Sequence, residues 1–184
     1  FWKTLRLKFK IPFDRETYLN QVELIIPIVY SDLNRRIKNA LTFGIIFLIL
    51  GLTIVISKSD TGYLFIIIGI ILLINSFLNS KKYKTNKETY LNLVKKNLTE
   101  NLTDYEYGTF EFNDDNLTFS DKNQNRTFKW SDFQDYKIID RNLFLVLDKY
   151  KGEIYAIGEK EINNTNFKKV IEFVEKKINQ LNIK

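Results

Sequence analysis

The chain has 184 residues, a length that fits one soluble domain or one small domain with an additional segment. It contains no Cys and no His, which excludes thiol nucleophiles, disulfides, imidazole bases and the usual zinc sites. The net charge is +6, but the basic excess lies in residues 1–38 and 81–103; because residues 104–184 are close to neutral, we expect no nucleic-acid partner.

The first segment, residues 1–38, is predicted to be a cytoplasmic strand followed by a helix. Asp14 is a candidate N-cap for the helix, and Pro27 is expected to end or kink it. A lone strand is not stable, so we expect a partner strand elsewhere in the chain. The chain contains no Met, and we therefore expect that residues precede Phe1. The apolar residues that alternate with basic ones in the strand are Leu5, Leu7, Phe9 and Ile11.

Residues 39–80 are predicted to form a transmembrane hairpin of two helices. Residues 39–57 and 61–80 contain no charged side chain, and each run is about long enough to cross the ~30 Å hydrocarbon layer as a helix. The short connection between them forces the helices to run antiparallel. A pair of buried soluble helices is the alternative, but two adjacent charge-free Ile/Leu runs rarely fit a small core. A signal peptide is disfavoured because its apolar stretch would begin near the start of the chain.

Basic side chains flank both outer ends of the hairpin, where we expect them to lie at the membrane surface. The turn carries only Lys58, which Asp60 offsets. The positive-inside rule therefore places both termini in the cytoplasm and the hairpin in the inner (plasma) membrane. The flanking basic residues are Arg35, Arg36, Lys38, Lys81, Lys82 and Lys84.

Four glycines in the hairpin form two pairs, Gly44 with Gly51 and Gly62 with Gly69, each spaced by about two helical turns. Folding the hairpin about residue 59 or 60 would place Gly51 and Gly69 at nearly the same depth. Small residues on one face allow close approach of helix backbones. The glycines could therefore serve packing within one hairpin, which we favour, or an interface between copies in an oligomer.

The next segment, residues 81–103, is predicted to be a basic amphipathic helix that connects the hairpin to the rest of the chain. Two interpretations remain open: its lysines bind anionic lipid headgroups, or the helix is a solvated connector. The residues near its apolar face are Tyr83, Tyr90, Val94 and Leu98.

Residues 104–184 are predicted to form a cytoplasmic domain of short antiparallel strands and a C-terminal helix. The strand NLFLVL, residues 142–147, is apolar on both faces and should be the most buried. The fold class is thus an α+β membrane protein, with a transmembrane hairpin and a small β-barrel or curved sheet that the last helix closes. The apolar stripe of this helix comprises Phe167, Val170, Ile171, Val174, Ile178 and Leu181.

The stretch FKWSDF, residues 128–133, interrupts the alternation of the strands with two small polar residues. Because the chain has no His, Ser131 has no imidazole base and the stretch is not a catalytic motif. We interpret it as a corner in which Ser131 and Asp132 turn the chain between inward-facing aromatic residues. The predicted core residues of the domain are Phe128, Trp130, Phe133 and Leu145.

An enzyme would have to use carboxylates, and the sequence indicates no catalytic, metal or cofactor site. Asp114 and Asp115 lie where a hairpin turn is needed, and turn chemistry explains them. No nucleophile–base pair or metal-ligand spacing is visible. The other available carboxylates are Asp132, Asp135 and Asp140.

The order of these elements resembles the YcxB-like family of small bacterial membrane proteins. The resemblance rests on the N-terminal strand with DRETYLN, the two-helix hairpin, and a C-terminal domain with FKWSDF, NLFLVL and a last helix. It implies a pleckstrin-homology-like (PH-like) C-terminal domain, which is a bent barrel with a C-terminal helix, and it implies no enzymatic activity.

Two function classes follow from this organisation. The first is a non-enzymatic accessory or scaffold subunit whose PH-like domain binds a protein partner or lipid, with homo-oligomerisation as a further option. The alternative is an immunity protein or membrane-active effector of a bacterial conflict system. The exposed basic candidates for recognition are Lys129, Lys137, Arg141, Lys149 and Lys151.

Overall fold

A computed structural model of the chain describes residues 6–101, 107–148 and 152–182. Over these residues seven strands and five helices follow one another, with a short 3-10 turn, Trp130–Asp132, between β4 and β5. The strands are β1 Leu7–Pro12, β2 Tyr107–Phe112, β3 Asn116–Ser120, β4 Asn125–Lys129, β5 Asp135–Ile139, β6 Asn142–Asp148 and β7 Glu153–Gly158. The helices are α1 Arg15–Val29, α2 Ser31–Ile56, α3 Thr61–Asn101, α4 Glu159–Ile162 and α5 Asn164–Asn182.

The chain divides into two compact units, and one is inserted in the sequence of the other. The first unit combines residues 1–25 with 94–184, and the second comprises residues 26–93. The N-terminal strand and helix therefore belong with the C-terminal strands, whereas the sequence had suggested separate segments at 1–38 and 104–184. The expected partner of the N-terminal strand is β2, which pairs with β1 antiparallel from Leu7↔Phe112 to Pro12↔Tyr107. Leu5 lies outside the described residues.

The strands form two antiparallel sheets, the first in the order β1-β2-β3-β4 and the second in the order β5-β6-β7. Over the described residues the two sheets stay separate, so the expected barrel is wrong. The physical reason lies at Trp130–Asp132, where the 3-10 turn carries the chain from one sheet to the other without pairing β4 to β5. The observed architecture is α+β, with two antiparallel sheets and two long apolar helices.

Aromatic side chains join the inner faces of the two sheets. Tyr155 on β7 contacts rings from three strands of the first sheet, with ring centroids 5.2–6.2 Å apart. Helix α5 completes this core with five buried side chains. The ring partners of Tyr155 are Phe110, Phe119 and Phe128, and the buried residues of α5 are Phe167, Val170, Phe173, Val174 and Ile178. Phe173 was missing from the predicted stripe, and the side chain of Leu181 lies outside the described part of the chain.

Strand β6 is buried on both faces, which confirms that NLFLVL is the most buried strand. Leu143 and Leu145 belong to the core between the sheets. Phe144 points the other way and is nevertheless 0% exposed. Asn142, on the same face as Phe144, accepts a hydrogen bond from Gln21 of α1. Helix α1 therefore lies on the outer face of the second sheet.

Helix α1 begins as the sequence predicts, because the Thr17 N–H donates to Asp14 Oδ2 at 2.8 Å. Pro27 lies inside α1, which continues to Val29, so Pro27 does not end the helix, and a kink at Pro27 stays a prediction. Only Tyr30 separates α1 from α2. The chain is therefore helical from Arg15 to Ile56 except at Tyr30.

Helix α3 is continuous over 41 residues, or roughly 60 Å, about twice the thickness of the hydrocarbon layer. The predicted separate helix at 81–103 is therefore the extension of the second apolar helix. Residues 81–101 contain no Gly or Pro that would break the helix, and residues 102 and 103 lie outside the described part.

Candidate functional site

Helices α2 and α3 contain segments, Ser31–Ile56 and Thr61–Leu98, that are long and apolar enough to cross a membrane. Only 17% of the most apolar stretch of each helix is buried in the structure. Large apolar side chains such as Ile49, Leu64 and Ile71 are 59–63% exposed. The core helix of a soluble protein would bury such residues, so their exposure indicates a surface suited to lipid.

The four glycines lie where the two apolar helices touch. A Cβ atom built on Gly62 would come within 2.7 Å of the Gly51 carbonyl oxygen, and one built on Gly51 within 2.9 Å of the Gly62 carbonyl oxygen. Gly44 and Gly69 face each other in the same way, at 3.0–3.2 Å. The expected pairing of Gly51 with Gly69 is therefore wrong by seven residues, or about two helical turns. The left-handed backbone of Lys58, with φ 63°, lies in the connection that sets this register.

This register has a consequence for the two interpretations of the glycines. All four glycine faces are occupied by the facing helix of the same hairpin. Phe47 and Phe65 stack between the helices at a centroid distance of 5.8 Å, and Ser76 Oγ donates to the Ile37 carbonyl at 3.1 Å. The glycine contacts thus support packing within one hairpin.

The flanking basic residues lie at the same end of the hairpin, on α2 and on α3. The Ser76–Ile37 hydrogen bond and the ring contact of Tyr30 with Tyr83, at 5.9 Å, fix the register there. Among these side chains Arg35 has an ion pair, 3.3 Å from Asp32. All six are exposed: Arg35, Arg36, Lys38, Lys81, Lys82 and Lys84. We call these six residues the basic collar.

The depth of the collar follows from helix geometry. If the hydrocarbon ends near Ser80, Lys84 lies roughly 6 Å beyond it, within a headgroup layer of about 5–8 Å. Both interpretations of residues 81–103, headgroup contact and a solvated connector, stay open.

The FKWSDF stretch forms a structural corner. Trp130 is 5% exposed, stacks on Phe112 at 6.2 Å and donates from Nε1 to the Asn113 carbonyl at 3.0 Å. Asp132 Oδ2 accepts the Lys129 N–H at 2.8 Å, which closes the 3-10 turn. Phe133 is buried against the Trp130 ring at 5.6 Å. The predicted core residues Phe128 and Leu145 contact or belong to the same core.

The candidate carboxylates do not form one site; two of them form ion pairs with lysines. Asp114 Oδ1 is 2.9 Å from Lys177 Nζ of α5, and Asp135 Oδ2 is 2.9 Å from Lys137 Nζ. Asp140 lies in the β5–β6 turn, where the φ values of Asp140 and Arg141 are 47° and 60°. Among the described residues no group of three carboxylates could hold a metal ion. The basic candidates Lys149 and Lys151 lie outside the described part.

A polar cluster that the sequence analysis missed joins α1 to the second sheet. Gln21 Nε2 donates to Glu161 Oε2 at 2.7 Å and to Asn142 Oδ1 at 3.2 Å. The Gly158 N–H also donates to Glu161. Burial raises the pKa of the Glu161 carboxyl; the bonds from Gly158 and Gln21 oppose this rise, and the charge of Asp14 adds to it. Residues 21 and 161 are 140 positions apart, so no local pattern could reveal the contact.

Comparison with protein-family models, curated proteins and solved structures finds no match to this chain. The membership of the YcxB-like family stays a prediction.

Gly62→Ala is expected to separate the hairpin helices, because the new methyl group would lie 2.7 Å from backbone atoms of the facing helix. Such overpacking costs about 1–3 kcal/mol. The chain has no Cys, so a Phe47→Cys, Phe65→Cys pair reports the contact through its rate of disulfide formation in membranes. We expect Gly62→Ala to slow that rate several-fold. Ile71→Ala, on the exposed side of the same helix, is the control and should leave the rate unchanged. Disulfides formed mainly between chains would contradict packing within one hairpin.

Glu161→Gln is expected to stabilise the protein near pH 7.5 and to leave its stability unchanged near pH 4. The folded-state pKa of Glu161 is raised, so its stabilising contribution is present below the unfolded pKa and is lost as pH rises through the folded value. Glutamine keeps an acceptor without the buried charge. Urea denaturation of both proteins in detergent across this range measures the difference. A variant that is less stable than the parent at pH 7.5 would show that the charged hydrogen bonds outweigh burial.

Proposed function

We propose that the protein is a non-enzymatic membrane-anchored binding module of the bacterial inner membrane. In this proposal the two-helix hairpin spans the membrane, both termini are cytoplasmic, and the two-sheet domain binds a protein partner as an accessory or scaffold subunit. The observation that carries the proposal is that the hairpin is inserted between two paired strands, β1 and β2.

This insertion supports the membrane topology independently of charge. Two strands of one sheet lie on one side of a bilayer, because a hydrogen-bonded ladder cannot cross it. An even number of crossings between β1 and β2 meets that requirement, and the chain has two helices capable of crossing. The basic excess at the outer ends of the hairpin supports the cytoplasm as that side.

The basic collar fits an interfacial role in this proposal. Its six cations are exposed and follow the ends of the apolar runs of α2 and α3. Each basic residue near an anionic surface contributes about 1 kcal/mol of attraction. The collar would therefore hold the anchor at a fixed depth against acidic lipids.

The cytoplasmic domain is proposed to act through its surface and not through a reaction. Asp114 and Asp135 pair with lysines, Asp132 closes a turn, and the buried aromatic residues pack in the core. Exposed strand edges can pair with an extended segment of a partner protein. Two antiparallel sheets with a C-terminal helix also fit the PH-like domain of the YcxB-like family, apart from the open sheets.

The alternative function, an immunity protein or effector of a conflict system, relied on the glycine faces for oligomerisation. Those faces are occupied within the hairpin, so no feature of the structure favours this alternative.

The topology is tested with single cysteines, since the chain has none of its own. Ser59→Cys lies in the exposed connection between the helices, and Lys129→Cys lies on the exposed strand β4. In intact spheroplasts a membrane-impermeant maleimide should label Ser59→Cys, and it should label Lys129→Cys only after lysis. Labelling of Lys129→Cys from outside would refute the cytoplasmic location, and labelling of neither before lysis would refute the spanning hairpin.

The binding role is tested by purifying the full chain in nanodiscs and identifying co-purified proteins by mass spectrometry. We expect one protein at a fixed stoichiometry, retained in a collar variant with all six cations replaced by Gln and lost when the domain is unfolded by Trp130→Ala. The absence of any protein partner at native expression level would reject the scaffold proposal. Loss of acidic lipid from the collar variant alone would assign the lipid contact to the collar.

A further inference from the structure

The two sheets differ in what covers their outer faces. Helix α1 lies on the outer face of the second sheet, where Phe144 is 0% exposed. On the first sheet, every described strand residue whose side chain points away from the core is exposed or half-buried. The outer face of the first sheet is therefore open to solvent over the part of the chain that the structure describes.

The strand register identifies the side chains on this open face. Phe9, Phe110 and Phe119 are in register and point to the core, so the residues before and after each of them point outward. Neutral hydroxyl and amide groups occupy the middle of the face, where the hydroxyls of Thr118 and Thr127 are 3.0 Å apart. The two central rows across the sheet are Lys8–Glu111–Thr118–Thr127 and Lys10–Thr109–Ser120–Asn125.

Cations stand along both edges of this face. Lys8 and Lys10 belong to β1, Arg6 directly precedes it, and Lys129 belongs to β4. The strands β1 and β4 are three strand spacings apart, or roughly 14 Å. Among the described strand residues, Glu111 is the only carboxylate on this face, and Arg6 and Lys8 share it at 2.6 and 3.5 Å. Four cations therefore accompany one carboxylate.

Nearby acids do not cancel this charge. Lys10 and Lys129 form no ion pair within the described ranges, and Lys10 Nζ instead lies 3.3 Å from the ring centroid of the tyrosine that begins β2. Of the acids in the adjoining turns, Asp114 pairs with α5, and Asp121 accepts N–H groups of its own turn, which leaves Asp115. The face thus has an excess of positive charge, although residues 104–184 as a whole are close to neutral.

We propose that this open face binds an acidic segment of the partner protein. Charged groups across a protein interface are arranged so that their potentials are complementary, so a basic face selects an acidic partner. The hydroxyl and amide side chains between the cations can donate hydrogen bonds to carboxylate oxygens. A separation of roughly 14 Å between the edge cations corresponds to carboxylates about four residues apart in an extended segment.

An anionic bilayer is the competing partner, since the proposed topology puts the domain on the side of the cytoplasmic leaflet. Surfaces that lie on a bilayer combine cations with apolar side chains that enter the acyl boundary. The two central rows of this face contain no apolar side chain. A peptide needs no such side chain, because its carboxylates and backbone can use the hydroxyl and amide groups directly. The observations therefore favour an acidic protein segment.

This inference deepens the proposed function, on which it rests for the existence of a protein partner, by naming the surface and the chemistry of that partner. The probe is a fluorescent peptide of alternating Glu and Ser, roughly twelve residues long so that it spans the face. Its binding to the full chain in phosphatidylcholine nanodiscs is measured by anisotropy. We expect the peptide to bind and a peptide with Gln in place of Glu not to bind.

Matched variants locate the binding surface. Replacing Lys8, Lys10 and Lys129 together by Glu should weaken peptide binding at least tenfold. Replacing three exposed lysines of α5 by Glu changes the net charge equally and should weaken binding less than twofold. The collar variant with six Gln should bind the peptide as the parent does. The α5 control lysines are Lys168, Lys169 and Lys176.

Three results would overturn the proposal. The first is equal weakening by the two triple variants, which would mean that net charge alone attracts the peptide. The second is no binding of the Glu peptide by folded parent protein. The third is protection of Lys8, Lys10 and Lys129 from an amine-reactive reagent in phosphatidylglycerol nanodiscs without peptide, while Lys168 stays reactive, which would assign the face to lipid.

Co-purification from cells separates this proposal from the proposed function. The protein partner should be lost from the variant with Glu at positions 8, 10 and 129 and retained by the α5 variant. A partner that both variants retain would refute the face as its binding surface while leaving the scaffold role intact. If no protein co-purifies with the parent, the scaffold role fails, whereas the peptide measurement still reports on the face alone.

Discussion

The antiparallel pairing of β1 with β2 is the constraint on which the rest of the structure depends. β1 precedes the apolar helices and β2 follows them, so the sheet can form only when the two helices bring the chain back to β1. Closing a loop of roughly 95 residues costs little more entropy than closing one of half that length, and a rigid helical hairpin shortens the effective loop further. The hairpin is thus a covalent part of the sheet's closure as well as the proposed anchor. During synthesis β1 must wait for the complete hairpin before it can pair.

The close packing of the two hairpin helices also has a physical reason. Apolar side chains gain nothing from leaving lipid for one another, so helix association in a bilayer depends on close backbone approach. Gly51 with Gly62, and Gly44 with Gly69, provide two such points two turns apart. The Ser76 hydroxyl adds a hydrogen bond between the helices near the collar. With the small residues enclosed, the hairpin presents large Ile, Leu and Phe side chains outward.

Local patterns predicted local structure well in this chain. Alternation and turn residues gave the positions of the strands, Asp14 gave the start of α1, and the doubly apolar NLFLVL gave the most buried strand. The features that escaped prediction depend on geometry over a distance. The helix register depends on the backbone of the connection at Lys58, the open sheets depend on the 3-10 turn at Trp130, and the Gln21–Glu161 bond joins positions 140 residues apart. The change from apolar to basic sequence in α3 suggested a boundary, but a change of polarity does not end a helix.

The proposed membrane anchoring would also change how strongly the weak surfaces of the domain bind a partner. A pairing of five-residue strands buries too little surface to hold two soluble proteins together at low concentration. Tethering raises the effective concentration and removes much of the translational freedom that association would otherwise cost. In two dimensions a sheet edge of an anchored domain can therefore bind a partner in the same membrane at an affinity that would be negligible in solution.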